Sequence, residues 1–365
     1  MRNSCITIAV LMAGLIVYST ASALPRFASR TGARCQSCHI NPSGGGMRQT
    51  FGVQYGREKL PVPEWAPDFE MEDFTNLVTN FLGLGADFRT LYYVRQDTVV
   101  PNNNAFYQMQ GDFYLNFRPA KKVNFYLKKG LYSGFEIFGL LNILPARGFI
   151  KVGKFIPEFG TRVDDHTAYI RTYTGFSPEL GRPELTGGEV GISPGSFSFT
   201  GGFYNASTND LGSQNKKAYL GRAEGLFPIG EEMYAGVGAD VFGKDTRDGG
   251  TQTLYGGFGS FSYRQLTLFG EVDQMKSKTP SADSTGWVVY VEADYMVLPG
   301  LDLKVAYDFY DGNKDVKSGS RSRYSFGVEF FPISGVEVRP VYRIVKESPV
   351  DSRNNEFDLL LHFYI

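Results

Sequence analysis

The chain has 365 residues, among them 43 Gly, 30 Phe and 22 Tyr, with 37 basic against 38 acidic residues and a pI near 6.4. A charge balance this close to neutral excludes an extended surface built to neutralise nucleic-acid phosphates. The abundance of Gly and aromatics, without any long helical pattern, points to sheets.

Mean hydropathy is −0.21, and only the extreme N-terminus is apolar enough to suggest a membrane helix. That stretch reads as a secretory signal peptide over 1–23. Arg2 supplies the positive start, Ile6 to Val17 the apolar run and Ala21-Ser22-Ala23 a small-residue cleavage site. The run falls short of the ~20 residues of a spanning helix, so cleavage after Ala23 is expected, with an uncleaved anchor as the alternative. Cys5 would leave with the signal.

Two cysteines then remain, in Cys35-Gln36-Ser37-Cys38-His39. This spacing is that of c-type haem attachment: two thiols reach the two vinyl groups of one porphyrin, and the next residue offers its imidazole to the iron. The site therefore calls for one covalent haem c on Cys35 and Cys38, with His39 as proximal ligand. A structural disulfide and half of a zinc site are the competing readings. Residues 24–74 form the haem-binding segment and end in a proline-rich connector, Leu60-Pro61-Val62-Pro63 through Ala66-Pro67. A segment this short buries too little surface to fold well unaided, so the remainder of the chain has to shelter it.

That remainder, 75–365, is a series of short alternating segments. Sixteen are expected, centred near Gly85, Phe113, Phe125, Phe138, Val152, Val190, Phe199, Gly221, Val237, Gly257, Phe269, Val291, Val305, Gly327, Val338 and Leu361. In the last, Phe357, Leu359, Leu361, Phe363 and Ile365 share one face and Asp358, His362 and Tyr364 the other. Every second connection is tight, as at Pro119–Lys122, Pro145–Arg147, Pro194-Gly195, Arg264-Gln265 and Pro299-Gly300. Most of the others are longer and polar, as at Gly243–Gly250, Lys276–Ser284 and Asp311–Ser320. This asymmetry favours an all-β, up-and-down antiparallel transmembrane barrel over a soluble sandwich. Its apolar faces would meet outer-membrane lipid, and the even strand count returns both ends to the periplasm.

The residues Pro25-Arg26-Phe27-Ala28-Ser29-Arg30-Thr31-Gly32, the haem motif, Phe51-Gly52 and the barrel together resemble the fused monohaem cytochrome–porins of the outer membrane, including iron-oxidising cytochromes. The resemblance implies an electron-transfer protein, and an iron(II)-oxidising enzyme in its sharper form. The haem segment would lie in the lumen or on its periplasmic side. It would exchange electrons between an extracellular donor or acceptor such as Fe(II) and a periplasmic carrier, itself a soluble cytochrome. Asn41 to Met47 departs from the iron-oxidase pattern, which leaves the donor open. A diffusion porin with a haem-bearing plug is the alternative.

The distal iron ligand has four candidates, Met47, Met71, His166 and His362, besides water or none. Gly44-Gly45-Gly46 permits a sharp turn, and Arg48 is a candidate propionate partner. The longest loop, about Gly160 to Glu184, carries Asp164-Asp165-His166 and is expected to constrict the pore or tether itself to the wall. On the strand alternation, Asp240, Glu271, Asp273, Glu292, Asp294, Asp302, Asp308 and Glu329 point inward with Lys304 as the main opposing base, a wall that would concentrate cations.

Overall fold

The computed structural model describes residues 26–62, 65–66, 75–96, 103–132, 134–178, 183–207, 215–246 and 248–365; the expected signal peptide and Met71 lie outside them. Sixteen strands form a closed ring: β1 (Leu82–Arg95), β2 (Asn103–Ala120), β3 (Val123–Gly130), β4 (Phe135–Leu144), β5 (Gly148–Phe155), β6 (Leu185–Ile192), β7 (Phe197–Asn205) and β8 (Lys217–Pro228) make one half. The second half is β9 (Met233–Asp245), β10 (Thr251–Tyr263), β11 (Leu266–Lys278), β12 (Asp283–Leu298), β13 (Leu301–Asp311), β14 (Arg321–Phe330), β15 (Val336–Glu347) and β16 (Glu356–Tyr364). All neighbours are antiparallel, and β1 closes on β16 with Asp87 opposite Tyr364 and Arg95 opposite Glu356. Each of the sixteen expected centres falls within a strand.

The strands form because a period of two suits a wall with an apolar outside and a filled inside. In β13, Asp302, Lys304, Ala306 and Asp308 are buried while Leu303 and Val305 are exposed. In β16, Asp358, Leu360, His362 and Tyr364 face in, and Phe357, Leu361 and Phe363 face out. Closure removes the free edges that an open sheet would present.

The lumen is filled from both rims. From the short-turn rim enters the segment 26–62, with helices α1 (Arg26–Thr31), α2 (Cys35–Cys38) and α3 (Thr50–Glu58). Helix α1 packs on β9, β10 and β11. Arg34 donates to the carbonyls of Ser193 at 3.2 Å and Gly195 at 2.7 Å, and the Val62 amide donates to the Phe331 carbonyl at 2.9 Å. Gly300, at φ +83°, lies so close to this segment that a β-carbon there would fall 2.6 Å from the Val62 nitrogen. From the long-loop rim, the β5–β6 connection folds inward, and its short helix α4 (Tyr169–Thr172) packs on β11, β12 and β13.

The two halves of the inner wall differ in chemistry. Tyr114, Tyr126, Phe138, Phe155 and Tyr204 form a contiguous aromatic row, with successive ring centroids 4.7–6.3 Å apart. The opposite half carries the buried carboxylates expected from the alternation, Asp240 through Glu329.

Candidate functional site

Cys35, Cys38 and His39 line one cavity of about 250 Å³, bounded by the N-terminal segment, the inward loop and the wall. Its apolar lining includes Phe27, Phe51, Tyr55, Ile156, Val163 and Phe269. The two thiols come from one turn of helix, three residues apart, and are not joined to each other. Among the described residues they also gather no further His, Cys, Asp or Glu into a metal-ligand set.

After His39 the chain doubles back. Gly44, Gly45 and Gly46 stand at φ +84°, +70° and +64°, a left-handed run that side-chain-bearing residues avoid. The run has two effects. A β-carbon at Gly44 would lie 2.8 Å from Cys35 Sγ, so the glycine leaves room beside the thiol. The Gly46 carbonyl oxygen comes 3.2 Å from His39 Nδ1. With that nitrogen donating to a carbonyl, the lone pair is on Nε2, the arrangement by which proteins orient an imidazole for a metal. Burial, and then the nearby Arg48 guanidinium, lower the His39 imidazole to about 4, so the ring is neutral at physiological pH. Burial pushes both thiols upward.

The structure separates the remaining candidates. Met47 is 1 % exposed and does not line the cavity; its amide donates to the Tyr126 hydroxyl at 3.3 Å, and its side chain packs by Gly83 and Gly85. His362 is turned away as well, with Nδ1 2.9 Å from Glu337 and Nε2 3.1 Å from Asp87. His166 stands on the cavity wall, with Nε2 3.2 Å from an Arg89 nitrogen. Arg48 also lines the cavity, stacked 4.3 Å over the Tyr364 ring and 3.6 Å from Asp87.

Sequence reasoning missed Arg162. It lines the cavity from the inward loop and donates to two backbone oxygens, the Gly44 carbonyl at 2.9 Å and the Ile156 carbonyl at 3.0 Å. No motif marks it, because its meeting with Gly44 spans 118 residues.

The loop residues Asp164 and Asp165 act as tethers. Asp164 pairs with Arg89 at 2.7 Å and with Arg339, and Asp165 with Arg343 at 2.8 Å. For Asp165, burial opposes ionisation but Arg343 and Arg323 outweigh it, holding the carboxyl well below the usual range.

The acidic wall is neutralised both by the N-terminal segment and by arginines of the barrel strands. Arg26 binds Asp294 and Glu329, Arg30 binds Asp302 at 2.7 Å, Arg222 binds Asp240 at 2.9 Å and Arg323 binds Asp308 at 2.8 Å. Lys304, expected as the main opposing base, is one of several. Three carboxylates of the expected cation-attracting wall, Asp294, Asp302 and Glu329, are thus the docking face of helix α1, while Asp240, Glu292 and Asp308 pair with bases of the barrel strands.

No family model matches the chain, and no curated protein matches it in sequence. Solved structures do match. OmpT of Vibrio cholerae superposes with a TM-score of 0.56 at 12% identity, over 80% of this chain and 100% of that one. The anion-selective porin of Comamonas acidovorans gives 0.56 at 12%, over 78% and 99%. Salmonella typhi OmpF in complex with daunomycin gives 0.55 at 12%, over 78% and 97%. At such identity the likeness shows the fold alone. The protein is a porin-like, closed sixteen-stranded barrel of the kind found in the bacterial outer membrane. These neighbours bear on the barrel and give no support for a fused cytochrome or an iron-oxidising family.

Proposed function

We propose that this is an outer-membrane electron-transfer protein, in which one haem c held by Cys35, Cys38 and His39 exchanges electrons between an extracellular donor or acceptor and a periplasmic carrier. The observation that carries the reading is the convergence of both thiols and a carbonyl-oriented imidazole on one largely apolar cavity. When bound, the haem supplies a one-electron iron couple. The chain's own residues do the rest. Phe27 and Phe269 would shield the haem from water, and His39 would offer Nε2 to the iron. Arg48 and Arg162 would offer donors to the propionates, and His166, on the cavity wall, would be the candidate for a second iron ligand.

A second reading is a diffusion porin with a haem-bearing plug. The fold neighbours, which include an anion-selective porin, favour it. Both rest on the same barrel and differ in whether current is carried by electrons or by solutes.

The test is an anaerobic visible spectrum of outer membranes containing the protein, before and after Fe(II) is added to intact cells, with Cys35→Ala as control. A c-type α-band that rises with Fe(II) and is missing from the control is the expected result. A band that answers dithionite but not Fe(II) removes iron as donor. Absence of any band leaves the porin, and planar-bilayer conductance then measures it directly.

A further inference from the structure

The N-terminal segment presents a second face, away from the cavity and toward the short-turn rim. There a groove of about 360 Å³ is lined by Gln36 and Ser37, the two residues between the thiols, and by Ile40, Pro42 and Gln49. Its other wall is the end of the barrel, with Arg118, Lys121 and Arg147 contributing positive charge and no acidic residue among the described residues lining it. Lys122 is exposed at the same β2–β3 turn. The four-residue helical turn Cys35–Cys38 contributes to both, its thiols to the cavity and Gln36 and Ser37 to the groove.

The basic side chains are placed at some cost to the backbone. Ala146 and Arg147 occupy φ +52° and +55°, a left-handed pair for which glycine or asparagine is the ordinary choice. The turn is fixed there by the Ser193 amide donating to the Ala146 carbonyl at 2.9 Å. Nearby Arg34 is lowered to about 10, first by burial and then by the charge of Arg147, with Glu224 acting in the opposite sense. Elsewhere on the rim, the β8–β9 turn carries Glu231 and Glu232, the latter 2.7 Å from Arg264. The rim is therefore polarised, with a basic sector over the thiol-bearing turn.

We propose that this basic groove, over Gln36 and Ser37 and between Lys121 and Arg147, is the docking site of a soluble redox protein that presents acidic residues around its own cofactor edge. The proposal rests on the electron-transfer reading above. It adds the sector of the rim where the partner sits and the sign of the charge that brings it there. A polarised rim turns an approaching dipole so that its cofactor faces the thiol-bearing turn, and complementary charge raises the association rate more than the final affinity.

The experiment uses the full holoprotein in nanodiscs. The probe is the soluble domain of cytochrome b5, an acidic haem protein, with cytochrome c, a basic one, as counter-probe. Electron exchange is followed by stopped flow and binding by NMR line broadening, across ionic strength. For the variant Lys121→Glu/Lys122→Glu/Arg147→Glu we expect exchange with the acidic probe to fall about tenfold or more at low salt, its salt dependence to flatten, and exchange with the basic probe to rise. Lys121→Gln/Lys122→Gln should give a smaller change in the same direction. Glu232→Lys should not slow the acidic probe. Folding of each variant is checked by heat-modifiable migration in SDS gels.

Unchanged rates and salt dependence in the triple variant, with the α-band intact, would overturn the docking site and leave the haem reading standing. If wild type lacks the α-band yet binds the acidic probe in a manner lost in the triple variant, the surface stands and the electron-transfer reading falls. Should the triple variant lose only its affinity for phosphatidylglycerol vesicles, the sector belongs to lipid headgroups and the proposal is wrong.

Discussion

His39 Nδ1 lies 3.2 Å from the carbonyl oxygen of Gly46, seven residues further along the chain. The contact exists because three consecutive glycines turn in the left-handed region, and because Gly46 has no β-carbon to strike the Tyr126 hydroxyl. Gly46→Ala should therefore act twice, through backbone strain of about 1–2 kcal/mol and through that collision. The expected outcome is less haem per barrel by pyridine haemochrome assay, with Tyr126→Phe recovering only the steric share. Full haem loading in Gly46→Ala would mean that the turn does not orient the imidazole.

Removal of a loop tether should loosen the constriction without opening the barrel. In Asp165→Asn the partners Arg343 and Arg323 keep Asp358 and Asp308, so the loss is on the order of 1–3 kcal/mol for a weakened buried donor set. Faster proteolytic cutting of the β5–β6 loop and noisier single-channel current are expected. Unaltered cleavage would show that the remaining contacts, Asp164 with Arg89 and Arg339 and helix α4 on the wall, suffice to hold the loop.

The arginines of helix α1 should set ionic selectivity. With Arg26→Ala/Arg30→Ala, the carboxylates Asp294, Glu329 and Asp302 lose those partners and face the lumen. We expect a cation-selective current in bilayers under a salt gradient, read as a shift of reversal potential relative to wild type. Current without a change in selectivity would point to leakage around the segment instead.

Glu184, just before β6, gives a pH dependence of defined sign. Its carboxyl is 2 % exposed with Oε1 unpartnered among the described residues, and burial, followed by repulsion from Glu136, raises it from 4.5 to about 7. The folded carboxyl keeps its proton to about pH 7 while the unfolded chain releases it near 4.5, so stability falls as pH rises through that window. Glu184→Gln should remove the fall, with no gain at pH 4 and a gain of at most about 3 kcal/mol at pH 8. Urea midpoints in vesicles at the two pH values measure it, and equal gains at both would refute the assignment.

The barrel is readable in the sequence because its determinants are local. A period of two in β13 and β16, and turns such as Pro299-Gly300, lie within a few residues of one another and announce strand and reversal without reference to the rest. The haem motif is local in the same sense. The hidden contacts span the chain: Arg26 reaches Asp294 and Glu329, and Arg162 reaches Gly44, so neither pairing leaves a sequence pattern. The distal candidates Met47, His166 and His362 differ in placement for the same reason. Spacing from His39 favours Met47, but packing against Tyr126 carries it out of the cavity, while an inward fold of the long loop brings His166 to the wall.

The ring closes where β16 meets β1, around a segment that precedes both in the chain. Arg26 takes its partners from β12 and β14, which emerge from the ribosome only after most of the barrel has been made. Helix α1 thus cannot reach its resting place until late strands exist, and once Asp87 faces Tyr364 the wall is closed laterally, which leaves the short-turn rim as its way in. Assembly then has a chronology, in which the segment made first is among the last to come to rest.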